Sequence, residues 1–353
     1  MVLKLGVLPG DGIGPEVVEA ALSVLGACVP FEARPAPIGG AAIDATGDPL
    51  PGETLALCKE SDAVLLGAVG GPRWQGGARP EDGLLRLRRG LDLYANLRPA
   101  RHLGLPTPLR ASLVRDADIL VVRDLAGGVY FGEPRGENGT EAFNTWRQRD
   151  DEVRRVARVA FEQARRRRGL VTSVDKANVL EASRLWRSVV SDVAREFADV
   201  RLEHKYVDAT SFELLQAPRA FDVVLTENLF GDILSDELAA VAGSIGILPS
   251  ASLGSGPSLY EPVHGSAPTL VGRGIANPTG AILSVALLLR YTLRRDDLAR
   301  RVEGAMSAAL REEPTPDVGG RSTTAGLTAA VHRHLAQGLA STEEELKSYG
   351  WGV

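Results

Sequence analysis

An α/β protein of two domains is what this sequence predicts, and three observations carry the prediction. Short apolar runs of the kind that fill buried strands alternate with stretches whose apolar residues recur every three or four positions. The chain has 353 residues, which at roughly 150 residues per domain is enough for two. The glycine-rich turn after the first strand fails the dinucleotide fingerprint, so the fold is not a standard Rossmann fold.

Residues 3–8 read as the first strand. They run into Gly10-Asp11-Gly12-Ile13-Gly14-Pro15, a tight turn that opens a helix, with Pro15 suited to the first helical position. The third glycine of this turn comes one residue too early for G-x-G-x-x-G, and no G-x-x-x-x-G-K-[ST] occurs anywhere. A turn lining some other kind of nucleotide site is the better reading. Residues 63–66, 119–122, 171–174 and 223–225 are further buried-type strands, and 202–207 is strand-like. The clearest helix places Val153, Val156, Ala157, Ala160, Phe161 and Ala164 on one face and ends in arginines 165–168, which suit a helix C-terminus. Two long glycine- and proline-rich segments, 67–83 and 243–278, read as loops, and loops of that length in a compact domain are usually functional.

Composition narrows the function. Hydrophobic residues are 44% and charged residues 24%, ordinary for a globular protein and incompatible with disorder. The longest uncharged apolar run, 281–289, falls far short of the roughly 20 residues that a membrane helix needs. Residues 1–9 lead straight into the first turn, with no signal-peptide pattern. Two cysteines, Cys28 and Cys58, make no disulfide framework, so a cytoplasmic setting is expected. Net charge is −5, which disfavours nucleic acid. Of the 40 basic residues only five are lysines, so a single arginine carries little information and a single lysine rather more.

Asp232 and Asp236 stand four apart in a helical segment and share a face. They are either a solvated surface pair or, beside Ile233, Leu234 and Leu238, ligands of a hard divalent cation such as Mg²⁺ or Mn²⁺. Asp208 follows a strand, where a ligand can be delivered. A helix over 83–90 would put Leu84, Leu85 and Arg88 on one side; Arg98 and Arg123 end apolar segments. Three such arginines suit a dicarboxylate. Lys176 follows a buried-type strand, and a lysine beside cations becomes a usable base. Tyr130, in a glycine-flanked hairpin, is either a core tyrosine or an acid.

Together these segments resemble the β-decarboxylating dehydrogenase family that holds the isopropylmalate, isocitrate, homoisocitrate and tartrate dehydrogenases. The motifs are LPGDGIGPE at 8–16, GGAAID at 39–44, LLGAVGGPRW at 65–74, LDLYANLRPA at 91–100, GGVYFGEPRG at 127–136, VDKANVLE at 174–181, NLFGDILSDE at 228–237, EPVHGSAP at 261–268 and GIANPTGAIL at 274–283. Their order and length span almost the whole chain. The resemblance implies a two-domain fold with a mixed sheet, a cofactor-side domain of 1–99 and 243–353, and an inserted domain of 100–242 for substrate, metal and dimer contacts. It implies that Arg88, Arg98 and Arg123 bind substrate carboxylates, that Asp208, Asp232 and Asp236 ligate Mg²⁺ or Mn²⁺, and that Lys176 and Tyr130 are base and acid. Within a homodimer, Lys176 and Asp208 are expected to enter the partner's site. NAD is expected along Ile13, Gly70, Glu81, Glu261, His264, Gly265, Ser266, Ala267, Thr269 and Asn277.

Where isocitrate enzymes carry a serine and an asparagine for a third carboxylate, this chain has Leu84 and Leu85, which resembles the isopropylmalate branch. The implied activity is NAD- and metal-dependent oxidative decarboxylation of (2R,3S)-3-isopropylmalate to 4-methyl-2-oxopentanoate and CO₂ in leucine biosynthesis. Another 3-substituted malate, or a non-catalytic regulatory homologue, are the alternatives. Two departures stand out: Thr269 replaces the aspartate usual in NAD-dependent relatives without the Lys-Tyr pair of NADP-dependent ones, and Arg123-Asp124-Leu125-Ala126 replaces Arg-Glu-Leu-Thr.

Overall fold

The alternation of apolar runs and amphipathic stretches resolves into strands and helices in the computed structural model, which describes residues 2–74 and 77–337. The described residues up to Leu93, Leu103–Thr107 and those from Ala242 on make one unit; Tyr94–His102 and Pro108–Val241 make the other.

In chain order, the first unit opens with β1 (Leu3–Gly10), α1 (Gly14–Gly26), β2 (Phe31–Pro35), α2 (Gly39–Thr46), α3 (Gly52–Lys59), β3 (Ala63–Ala68) and α4 (Pro80–Gly90). The second unit follows with β4 (Leu93–Arg101), α5 (Ala111–Val114), β5 (Asp118–Asp124), the two-residue strands β6 (Gly136–Glu137) and β7 (Ala142–Phe143), and α6 (Asp150–Arg165). It continues through β8 (Leu170–Asp175), α7 (Glu181–Ala194), β9 (Arg201–Tyr206), α8 (Val207–Gln216), β10 (Val223–Thr226), α9 (Asn228–Glu237) and α10 (Ala239–Ala242). The chain then adds β11 (Pro249–Gly254), β12 (Ser258–Pro262), α11 (Thr279–Tyr291), α12 (Asp296–Glu312) and α13 (Thr324–Gln337) to the first unit.

In the first unit the strand order is β2-β1-β3-β12-β11. All neighbours are parallel except β11 and β12. Every residue of β3 is buried, as a strand covered on both faces requires. The register puts Gly10 beside Ala68, so the turn after β1 and the segment after β3 leave the sheet together. The apolar run at 281–289 lies in α11, buried on every side from Thr279 to Leu289 and packed on α1, α12, β11 and β12. Burying each of its leucines contributes roughly 1.5–3 kcal/mol.

Segment 243–278 is not one long loop, as expected, because it contains β11 and β12. Their buried serines, Ser250 and Ser252, break up the kind of apolar run that marks β3 and β5. The expected loop 67–83 is also shorter: Pro80–Gly90 is helical, and 75–76 lie outside the described residues.

The second unit has the order β4-β5-β10-β8-β9, with β4 antiparallel to β5 and the rest parallel, so its sheet is mixed. Helix α6 buries the six apolar residues of its expected face against β5, β10 and α7. The four parallel strands end on one side, the side where open α/β sheets bind ligands. They deliver Arg123 from β5, Glu227 after β10, Lys176 after β8 and Asp208 after β9. On β4, Asn96 lies opposite Arg123, and Arg98 follows two residues later on the same face. Asp208 stands in the first turn of α8 rather than at a strand end, since β9 stops at Tyr206. An aspartate in a first helical turn is favoured by the helix dipole.

Candidate active site

The second unit brings five of the expected residues together: Arg98, Arg123, Tyr130, Asp232 and Asp236. Arg123 is only 1% exposed, so its charge must be matched where it stands. Its Nη1 donates to Asp232 Oδ1 at 2.5 Å. Its Nε and Nη2 donate to Asn228 Oδ1 at 3.1 and 2.8 Å, and Nε also reaches the Asn228 main-chain oxygen at 2.9 Å. Gly231 makes room, because a Cβ there would lie 2.6 Å from Arg123 Cγ.

Arg98 donates through Nε to Asn96 Oδ1 at 2.7 Å and through Nη1 to Ser235 Oγ at 2.7 Å. It also pairs with Asp236 at 3.4 Å and Asp232 at 3.5 Å. The Tyr130 hydroxyl donates to Asp232 Oδ2 at 2.7 Å. Burial, followed by that bond to a carboxylate, pushes the phenol up to about 12, so it stays protonated at neutral pH. Burial also raises Asp236, the charge on Asp232 adds to this, and Arg98 and Arg123 oppose it. Tyr130 sits in a turn rather than the expected hairpin: Gly128 makes only an isolated bridge to Arg147, and the short hairpin β6–β7 comes later.

Lys176 and Asp208 form a second cluster, with Nζ 2.5 Å from Oδ1. The lysine, first and foremost, holds the Asp208 carboxyl below its ordinary range. Ser211 of α8 donates to Glu237 of α9 at 2.9 Å, tying the two aspartate-bearing helices together. Even so, among the described residues no group of three or more Asp, Glu, His or Cys side chains is placed to hold one metal ion. Asp232 and Asp236 share the partner Arg98, and Asp208 pairs with Lys176 instead. Two hard carboxylates fit Mg²⁺ or Mn²⁺, which accept one or two protein carboxylates and complete their shell with other oxygens.

In the first unit, Arg88 and Glu261 are both buried and pair at 2.9 Å. Leu84 and Leu85 are half-buried on the same helix, α4. Glu81 lies inside the first turn of α4, not before it, and its carboxylate would meet a Cβ placed on Gly70 at 2.8 Å. Ile13 N donates to the Ser266 carbonyl at 2.9 Å. Gly12, at φ +60°, allows this approach, since a Cβ there would sit 2.0 Å from that oxygen. Gly265 and Thr269 are exposed, and Ala267 adopts φ +40° between them.

Asn277 donates to Asp317 at 3.0 Å and caps Thr279 N at 3.0 Å. His264 is buried, and burial lowers its pKa, so the ring is neutral. Its Nδ1 lies 2.9 Å from the Gly265 carbonyl, an acceptor, so Nδ1 carries the proton. Nε2 remains a buried acceptor without a partner, which fits an N–H donor on a bound nucleotide base.

Sequence reasoning missed the residues that hold these side chains. Asn228 and Ser235 lie on α9 with the aspartates; Asn228, four residues before Asp232, was legible by spacing. Asp11 accepts from the backbone N–H groups of Gly40, Ala41 and Gly70, each at 2.8 Å, and so joins three segments at the first turn. A carboxylate between two glycines was its only signal.

Comparison with known proteins bears on this arrangement. The family model described as isocitrate/isopropylmalate dehydrogenase matches residues 4–331. The chain belongs to the isocitrate/isopropylmalate dehydrogenase family. Among its relatives in that family, the 3-isopropylmalate dehydrogenase of Aquifex aeolicus (strain VF5) is 53% identical over 331 residues, 89% of this chain and 91% of that one. The crystal structure of isocitrate dehydrogenase from Methylococcus capsulatus superposes with a TM-score of 0.87 at 34% identity, covering 95% of this chain and 99% of that one. A β-decarboxylating dehydrogenase from Thermococcus kodakarensis gives 0.80 at 38% identity, covering 96% and 98%. Both α/β units of this chain therefore carry the isocitrate/isopropylmalate dehydrogenase fold.

Proposed function

We propose that this family member oxidises and decarboxylates (2R,3S)-3-isopropylmalate with NAD⁺ and a divalent cation, yielding 4-methyl-2-oxopentanoate and CO₂ for leucine biosynthesis. The observation that carries the reading is the cluster of Arg98, Arg123, Tyr130, Asp232 and Asp236: two paired guanidinia, two carboxylates and a protonated phenol within contact of one another. Asp232 and Asp236, with Asp208, would hold Mg²⁺ or Mn²⁺. Ile13, Gly70, Glu81, Glu261, His264, Gly265, Ser266, Ala267, Thr269 and Asn277 would line the NAD site. When bound, the cation supplies Lewis acidity and the nicotinamide supplies a hydride acceptor.

The chain's own residues do the rest. Arg98 and Arg123 grip a substrate carboxylate in their fixed forks, and Arg88 serves a carboxylate from α4. Leu84 and Leu85 offer an apolar surface to the isopropyl group. Lys176 takes the proton from the C2 hydroxyl, and Tyr130 delivers one to C3 once CO₂ has left. Asp208 orients the Lys176 side chain by accepting a hydrogen bond from Nζ, a bond that the neutral amine acting as base can still donate.

The working unit is a homodimer in which Lys176 and Asp208 of each copy serve the other's site. That no three-carboxylate metal group forms among the described residues of one chain supports this. So do the exposed Val179 (63%), Phe212 (65%) and Ile233 (60%), apolar residues lying close in sequence to Lys176, Asp208 and Asp232. The two free cysteines agree with a reducing, cytoplasmic setting.

Incubation with 3-isopropylmalate, NAD⁺ and Mg²⁺ should release NADH, CO₂ and 4-methyl-2-oxopentanoate in equal amounts. NADH without CO₂ would remove the decarboxylation from the reading.

A further inference from the structure

Asn228 carries no role in the mechanism above, yet it contacts both Arg123 and the turn that leads to Tyr130. It opens α9 and is 1% exposed. Its side-chain oxygen accepts from both Nε and Nη2 of Arg123, at 3.1 and 2.8 Å. That fixes the inner edge of the guanidinium and turns Nη1 toward Asp232. Its Nδ2 donates to the Gly127 carbonyl at 3.2 Å, in the turn that leads to Tyr130. A Cβ on Gly128 would lie 3.2 Å from Asn228 Cβ, so the turn rests directly on this side chain.

The orientation of the amide follows from chemistry: a guanidinium can only donate and a carbonyl can only accept, so oxygen must face Arg123 and nitrogen Gly127. Aspartate would keep the acceptor and lose the donor. Alanine would lose both and leave a buried arginine edge unmatched.

We propose that Asn228 is a positioning residue with two separable tasks: its carbonyl holds Arg123 for the substrate carboxylate, and its N–H₂ holds the Gly127–Tyr130 turn for proton delivery. The proposal deepens, and rests on, the dehydrogenase reading of the site.

The test compares wild type, Asn228→Ala and Asn228→Asp in three readouts: steady-state kinetics with 3-isopropylmalate, thermal unfolding, and amide hydrogen exchange of residues 125–132 without substrate. Asn228→Ala is expected to raise KM by about tenfold or more and to lower kcat. Asn228→Asp is expected to bring KM back to within about threefold of wild type while kcat stays low, since neither variant can donate to Gly127. Residues 125–132 should exchange faster in both variants. A merely structural role would lower the unfolding temperature and the active fraction and leave KM alone.

An unchanged KM in Asn228→Ala, or a wild-type kcat in Asn228→Asp, overturns the proposal. If Asn228→Ala does not fold, the Asn228→Asp split and its exchange pattern decide alone. If the wild type oxidises no 2-hydroxy acid, the dehydrogenase reading is what fails. The exchange of 125–132 then still decides: unchanged protection in both variants refutes the positioning of the turn.

Discussion

Glu227 sits between β10 and α9 with none of its surface exposed. Ser183 Oγ donates to its Oε1 at 2.6 Å, while the negative charges of Asp175 and Asp124 face it. Asp175 is itself matched by two bonds from Arg187, each 2.8 Å. Burial, first of all, pushes the Glu227 carboxyl from 4.5 up to about 7. The folded protein therefore holds this proton more tightly than the unfolded chain does. The stability tied to the proton is fully present below the unfolded value and is lost as pH rises through the folded one.

At 1.36 kcal/mol per pKa unit the shift is worth roughly 3 kcal/mol in all. Glu227→Gln keeps the Ser183 acceptor and removes the charge. The unfolding free energy of the variant minus that of wild type is expected to rise by roughly 2–3 kcal/mol between about pH 5 and pH 8. Denaturant titrations at several pH values, followed by circular dichroism, measure this difference, and groups common to both proteins cancel. A difference constant to within about 0.5 kcal/mol over that range would refute the reasoning, because Glu227 would then titrate as it does in the unfolded chain.

Other outcomes follow from the same geometry. Tyr130→Phe should lower kcat by about 10²-fold or more with little change in KM. With the phenol pushed up to about 12, wild-type kcat should show no loss from tyrosine ionisation across the neutral range; a basic limb that starts near neutrality and vanishes in the phenylalanine variant would contradict this. Lys176→Met and Asp232→Asn should each be inactive, yet refolding the two together should restore about a quarter of wild-type activity, because half the dimers are mixed and each has one complete site. No recovery would place lysine and aspartate in the same chain's site. Gly12→Ala forces a Cβ onto the Ser266 carbonyl and should weaken NADH binding about tenfold in a fluorescence titration. Unchanged affinity would detach this turn from the cofactor.

Regular patterns made much of the fold legible. The spacing of Val153 to Ala164 gave α6 and its buried face, and the apolar runs of β3, β5 and β10, with the valines that bracket Thr172 and Ser173 in β8, announced buried strands. Strands β11 and β12 stayed hidden because their serines, prolines and glycines look like loop residues when burial is out of sight. Helix α4 was read three residues short because Pro80, Glu81 and Asp82 look like loop and suit a first turn equally well. In the site, the charged residues could be named from the motifs, but their supports could not. Asn228, Ser235, Asp11 and Asp317 act through hydrogen bonds to residues far along the chain, and a sequence shows spacing, not contact. Glu227 is the sharpest case: its neighbours lie on α7, β8 and β5, and only burial among them separates it from a surface carboxylate.

The central claim is the substrate, and it is tested by measuring NADH formation with Mg²⁺ on 3-isopropylmalate, isocitrate, malate and tartrate in parallel, each repeated with NADP⁺. The account predicts rapid turnover of 3-isopropylmalate with NAD⁺, with the other acids and NADP⁺ well behind. Preferential turnover of isocitrate, or dependence on NADP⁺, would contradict the roles given to Leu84, Leu85 and the loop around Thr269.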